Sequence, residues 1–381
     1  MSRIAGRGAL LAALLGVSLG ASALLAGCSL GPDKPTPKPL VEFTPQIAGK
    51  VVWQQRVDGV DFPLAVAVKD GVFTLAANDG TVVALQADTG REVWRASVGS
   101  KLSAGVGSDG RVAAVVTRNG ELVALQAGRE LWRKPMASRV TTAPLVAGER
   151  VFVLGVDRSV NAFDALDGRK LWTLQRPGDP LTLSQSGVIA AFKDTLVVGQ
   201  GPRMAGVDPL RGTVRWEVPV ATPRGTNEVE RLADLVGPPT RFGNVICARA
   251  FQSAVGCVNA ERGTLVWTKN TGGTDAVVVD DGYLFGADAT DRLTAWRTAT
   301  GEVAWTTDSL LYRGLSAPLS AGKTLVVGDA GGLVHWFSRE KGEPLLRLPT
   351  DGSAVAAAPV ASDLTMLVVT RRGGVFAFRP E

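Results

Sequence analysis

Four side chains of the types most often recruited for nucleophilic or metal chemistry occur in this 381-residue sequence: Cys28, Cys247, Cys257 and a single histidine, His335. Cys28 has the clearest chemistry. It follows Leu25-Ala26-Gly27, small residues of the kind cut by the lipoprotein signal peptidase. Upstream, Arg3 and Arg7 precede an Ala/Leu-rich stretch that is too short and too rich in small residues for a comfortable membrane span. Residues 1–27 therefore read as a cleavable signal and Cys28 as a lipidation site. Its thiol takes a diacylglycerol, and its freed amine can take a further acyl chain. At about 0.8 kcal/mol per buried methylene, several chains anchor stably. Ser29 follows rather than an aspartate, which in lipoproteins of this kind implies the outer membrane, with the protein facing the periplasm.

Cys247 and Cys257 read differently. Both fall on an expected hairpin at 245–258, where alignment with the other hairpins sets them opposite each other. Opposed residues in an antiparallel pair lie about 4.5–5.5 Å apart, within disulfide range. An oxidising periplasm permits the bridge; two small buried apolar residues are the alternative. His335 lies in Gly332-Leu-Val-His-Trp-Phe337 with no second histidine, so a packed strand residue is expected and a metal ligand is not. Nothing marks a Ser/His/Asp set. The chain is expected to carry no catalytic residues, metal or cofactor.

The elements that position these residues are legible from composition and repeats. With 45% hydrophobic and 20% charged residues, the chain can build a core, and 45 glycines with 21 prolines imply frequent turns and few long helices. The net charge is +5, with a pI near 9.3. Loss of residues 1–27 leaves 39 basic residues against 36 acids. The basic residues are scattered, so nucleic acid is not an expected partner. Residues 29–40, SLGPDKPTPKPL, hold four prolines and read as an extended tether, reaching roughly 35–40 Å at about 3.1 Å per residue. The expected organisation is signal 1–27, lipidated cysteine and tether 28–44, and folded domain 45–381.

The folded part repeats. Gly-x-x-x-Trp occurs at Gly49/Trp53, Gly90/Trp94, Gly128/Trp132, Gly168/Trp172, Gly212/Trp216, Gly263/Trp267 and Gly301/Trp305, with Gly342/Leu346 as an eighth copy. An apolar hairpin precedes most copies, best seen at 72–85 with Asp79-Gly80 at its turn. Comparable hairpins lie at 112–125, 151–163, 195–207, 245–258, 283–296, 324–337 and 366–378. Pro63, Pro144, Pro238, Pro318 and Pro359 mark the start of a further strand. A unit of roughly 40 residues with four antiparallel strands is a propeller blade. The fold is expected to be all-β, an eight-bladed β-propeller. The last hairpin lacks its own Gly-x-x-x-Trp strand and the first such strand lacks a hairpin, so the two are expected to complete one blade and remove the free edges.

Tryptophan-marked eight-bladed propellers include the quinoprotein dehydrogenases, which bind pyrroloquinoline quinone and calcium, and the repeat resembles theirs. Those enzymes use adjacent cysteines and acidic calcium ligands. Here no cysteines are adjacent and no Asp-x-Asp-x-Asp loop occurs. A quinoprotein-type enzyme or a ligand-binding propeller is the alternative reading. The fuller resemblance is to the BamB family, lipoproteins of the outer-membrane β-barrel assembly machinery. The lipobox, the Pro-rich tether and the eight blades carry it. Its most specific parts are Gly225-Thr-Asn-Glu-Val-Glu-Arg-Leu-Ala-Asp234, Leu310-Leu-Tyr-Arg313 with Ser316-Ala-Pro318, and the run from Leu325 to Trp336.

The resemblance implies a non-catalytic scaffold that docks on the POTRA domains of BamA, beside other subunits of that machinery, and helps outer-membrane proteins fold and insert. It implies two partner-binding loops. One matches Leu181-Thr-Leu-Ser184, with Leu181 and Leu183 as apolar anchors and Ser184 where the family pattern has arginine. The other matches Arg231-Leu-Ala-Asp-Leu-Val236, where Asp234 keeps one acid and Val236 replaces a second. Unfolded outer-membrane proteins are a further possible partner class, through strand addition at sheet edges.

Overall fold

The computed structural model describes residues 35–176, 182–223 and 226–381. The middle strands of the repeats are apolar without alternation, and the structure shows why. Val112–Val116 is buried at every position, and Thr81–Gln86 at its four central ones. Strands buried on both faces belong to sheets covered on both sides. Among the described residues, thirty-two strands form eight four-stranded antiparallel sheets and no helix. Each sheet is one blade. Blades one to seven span 67–97, 107–135, 145–174, 189–219, 235–269, 278–307 and 319–349, with strands in chain order from the axis outward. The predicted hairpins are the two middle strands of each.

Blade eight combines the chain ends. Gly49–Arg56 pairs antiparallel with Gly374–Pro380, in register from Gly49 opposite Pro380 to Arg56 opposite Gly374. Its innermost strand, Val360–Ser362, touches that of blade one, Ala67–Lys69. The ring is closed: the molecule is an eight-bladed β-propeller.

The Gly-x-x-x-Trp motif works between blades rather than within one. The residue before each tryptophan is an extra one on the outer strand. Trp94 pairs with Ala84 and Glu92 with Leu85, leaving Val93 bulged. The same bulge recurs in all eight blades, at Leu131, Leu171, Arg215, Val266, Ala304, Leu345 and Val52. A bulge adds local twist and interrupts an edge. Most of the indoles are thereby turned onto the next blade's motif glycine. Trp53 meets Gly90, Trp132 meets Gly168, Trp267 meets Gly301 and Trp305 meets Gly342. Leu346, which replaces the eighth tryptophan, meets Gly49 and completes the circle.

The proline mark holds at Pro144, Pro318 and Pro359, each directly before an innermost strand. Pro238 instead lies inside Leu235–Phe242, where the register slips between Val236 and Thr240. The segment before the ring crosses blade seven. The Lys38 N–H donates to Leu311 O and the Gln46 N–H to Leu345 O. Leu40 packs with the core between blades six and seven, and Ile47 with that between seven and eight. Residues 38–44 of the expected 28–44 tether therefore lie on the propeller; residues 28–34 are outside the described residues. No helix among the described residues is long and apolar enough to cross a membrane.

Candidate docking site

Antiparallel order places two kinds of connection on one face of the ring: the loop from an outer strand to the next blade's inner strand, and the turn between the two middle strands. The loops before blades four and five carry the predicted partner residues. Asp234 joins them. Its Oδ2 accepts the Leu183 N–H at 3.2 Å, and its Oδ1 accepts from the Arg158 guanidinium at 3.2 Å. Side-chain exposures of 16% for Asp234 and 15% for Arg158 make this a largely desolvated pair. Nearby, the Gly237 N–H donates to Ser186 O and the Gly187 N–H to Thr142 Oγ1, both at 2.8 Å. The Thr141 hydroxyl donates to Gln185 O at 2.9 Å. Loop 182–187 is thus fixed from both sides, by the segment before blade three and by the start of blade five. Beneath Leu183 lies a cavity of about 50 Å³, lined by Thr142, Arg158, Gln185 and Asp234 among others.

The second loop holds its own shape. Asn227 Oδ1 accepts the Glu230 N–H at 2.9 Å, and the Glu230 carboxylate accepts the Thr226 N–H at 2.7 Å. The Thr226 N–H, its hydroxyl and the Asn227 amide hold the Glu230 carboxyl below its ordinary range. This locked turn leaves Val229 72% exposed at the tip. Among the residues expected to meet a partner, Ser184 is exposed and Leu183 and Arg231 are half-buried. Leu181 and the lipidation residue Cys28 lie outside the described residues. Two of the expected residues lie below the surface. Asp234 turns inward to Arg158 rather than outward. Val236 is 4% exposed, because the inner strand begins at Leu235 and directs it into the sheet. Arg158 and Val229 are additions the sequence reading missed. Only the composition of the loop hinted at Val229; nothing pointed to Arg158.

Cys247 and Cys257 are opposed in register and fully buried, with Cα atoms 4.1 Å apart and the sulfurs joined as a disulfide. His335 is 3% exposed and lies 3.1 Å from Asp329 Oδ2, which also accepts from Arg313 Nε at 2.8 Å. Burial lowers the His335 pKa, so the neutral ring donates its Nε2–H to the carboxylate. Among the described residues, no three His, Cys, Asp or Glu side chains converge as metal ligands. The cysteines are ten residues apart and bonded across two strands. These residues do not fit a quinone cofactor held over adjacent cysteines with calcium.

The ring and its two interlocked loops define a tryptophan-marked, eight-bladed propeller. The family model described as "Outer membrane protein assembly factor BamB" matches residues 78–307. A Burkholderia pseudomallei protein with that name is 38% identical over 364 residues, covering 94% of this chain and 95% of its own. Its namesake from Bordetella pertussis is 33% identical, covering 93% and 94%. That from Escherichia coli is 28% identical, covering 93% and 95%. The chain belongs to the BamB family of outer membrane protein assembly factors. Among solved structures, BamB from Moraxella catarrhalis superposes with a TM-score of 0.79 at 23% identity, over 87% of this chain and all of that one. A quinohemoprotein alcohol dehydrogenase from Comamonas testosteroni reaches 0.65 at 16% identity, over 87% and 76%, a likeness of fold.

Proposed function

We propose that this chain is a lipid-anchored, non-catalytic scaffold of the outer-membrane β-barrel assembly machinery, docking on the POTRA domains of BamA. The observation that carries the reading is the Asp234 link between loops 182–187 and 226–236. It joins the two segments that the family resemblance assigns to partner binding. Leu183, Ser184, Val229 and Arg231 then form the surface offered to the partner, with Leu181 as a second apolar anchor. Asp234 and Val236 support that surface from beneath. A few anchors on a rigid frame give specific but moderate affinity, because a minority of interface residues carries most of the energy. Once the signal at 1–27 is removed, the acyl chains on Cys28 hold the ring at the periplasmic face of the outer membrane, which raises its effective concentration near the partner. Unfolded clients remain a further partner class, but the bulge in every outer strand opposes their capture by strand addition.

A pull-down from detergent-solubilised envelopes tests the reading. Recovery of the barrel subunit with the wild-type chain, lost on substituting Leu181, Leu183 and Asp234, is the expected result. Equal recovery with the substituted chain overturns the assignment of the surface.

A further inference from the structure

We propose that Arg158, which lies outside both docking loops, is the positioning residue that sets the docking surface. The argument begins at its backbone. Arg158 closes the hairpin turn of blade three, its N–H donating to Gly155 O, with φ at +62°. Four sister turns close with the same bond and carry glycine at that position, at Gly80, Gly120, Gly332 and Gly373, all with positive φ. An L-residue in this region is strained, and such strain persists where the surroundings hold it in place. Blade five closes on Ser253 with the positive φ one residue earlier, at Gln252, and blade six has the glycine-type turn with Asp291 at +66°. The Asp291 carboxylate accepts the Gly314 and Leu315 N–H groups of the loop before blade seven. In blades three and six, then, the side chain that stands at the positive-φ glycine position holds an inter-blade connection.

Arg158 does so through Asp234. Its guanidinium meets Oδ1, leaving Oδ2 for the Leu183 N–H. Its Nε is buried with no hydrogen-bond partner beside the small cavity, so Asp234 is the anion this side chain engages. Without the cation, a carboxylate only 16% exposed is left unpaired and turns toward water. That movement releases the Leu183 amide and lets loop 182–187 shift. The surface is therefore governed by a contact that the partner does not make.

The sister turns supply the test variant. Arg158→Gly suits the turn, so its melting temperature is expected within a few degrees of wild type. In the free protein, the Leu183 amide of this variant should exchange with deuterium at least ten-fold faster. The Gly187 amide, held by the Thr142 hydroxyl, should be unchanged. Affinity for the purified periplasmic region of BamA should fall at least ten-fold, Arg158→Lys should recover most of it, and adding Asp234→Ala to Arg158→Gly should cost little more. The binding arm rests on the docking reading above; the exchange arm does not. Unchanged Leu183 exchange overturns the positioning role. If wild type does not bind the BamA region, the docking reading fails while the exchange result still decides the role of Arg158.

Discussion

The indole of Trp172 lies against Gly212 of the next blade, with its ring atoms 2.6 Å from where a Cβ on that glycine would stand, and its N–H donates to Pro209 O at 3.0 Å. The same grip, ring on glycine and N–H on the carbonyl three residues earlier, recurs from Trp53 to Ala87, Trp132 to Ala165, Trp267 to Thr298 and Trp305 to Arg339. Trp94 lacks the carbonyl bond, because the turn it meets, at Ala127-Gly128, is two residues shorter. Gly212 also sits at φ +73°. Gly212→Ala therefore adds left-handed strain to a steric clash, a destabilisation of about 2–4 kcal/mol. Urea unfolding measures it; a loss below about 0.5 kcal/mol would contradict the inter-blade role of the motif.

The Cys247–Cys257 bridge closes a ten-residue separation inside blade five. Loop-closure entropy for a ring of this size is about 2–3 kcal/mol. The double variant Cys247→Ala/Cys257→Ala should lose that amount. Thiol titration of the denatured, unreduced wild-type chain should find neither cysteine free. Two titratable thiols would show the pair to be simple core residues.

Buried His335 and Asp329 give stability a defined pH dependence. Burial lowers the His335 pKa, so the unfolded chain takes up a proton that the native state refuses. Stability from this source is complete above the unfolded value near 6.5 and is lost as pH falls below it. Burial alone would raise the Asp329 pKa, but hydrogen bonds from His335, the Leu333 N–H and Arg313 prevail and lower it. Its contribution is complete above about 4 and is lost at lower pH. His335→Gln keeps a donor for Asp329. Thermal melts from pH 8 to 5 should fall less steeply for this variant than for wild type; parallel curves would refute the assignment.

The parts of this protein that repeat were readable from its sequence, and the parts that depend on one cross-blade contact were not. Eight motif copies and eight hairpins specify the blade count, and the unmatched ends specify the closing blade. The bulge was hidden because Val93 and its equivalents are of ordinary strand types, all apolar but Arg215, and nothing local marks them as unpaired. Val236 and Asp234 read alike as loop positions until the strand start at Leu235 assigns one to the core and the other to Arg158. Arg249 reads as a polar position on a strand, yet it is fully buried and donates to the carbonyls of Thr271, Gly272, Asp275 and Ala287. Burial depresses its pKa to about 10, which still leaves it charged at neutral pH. Such a residue is satisfied by backbone that the local sequence does not reveal.

Closure can be tested by removing the first strand. Without residues 45–57, the hairpin ending at Pro380 loses its outer partner, and the Leu346–Gly49 contact disappears. The cooperative transition should be lost or shifted far downward. A melting curve matching wild type would mean that the ring does not depend on its closing blade.

Titration calorimetry of the purified mature chain against the periplasmic region of BamA tests the central claim most directly. Saturable one-to-one binding is expected, weakened at least ten-fold by Leu181→Ala/Leu183→Ala at unchanged melting temperature. Absence of binding by the wild-type chain, or equal affinity of the double variant, would contradict the account.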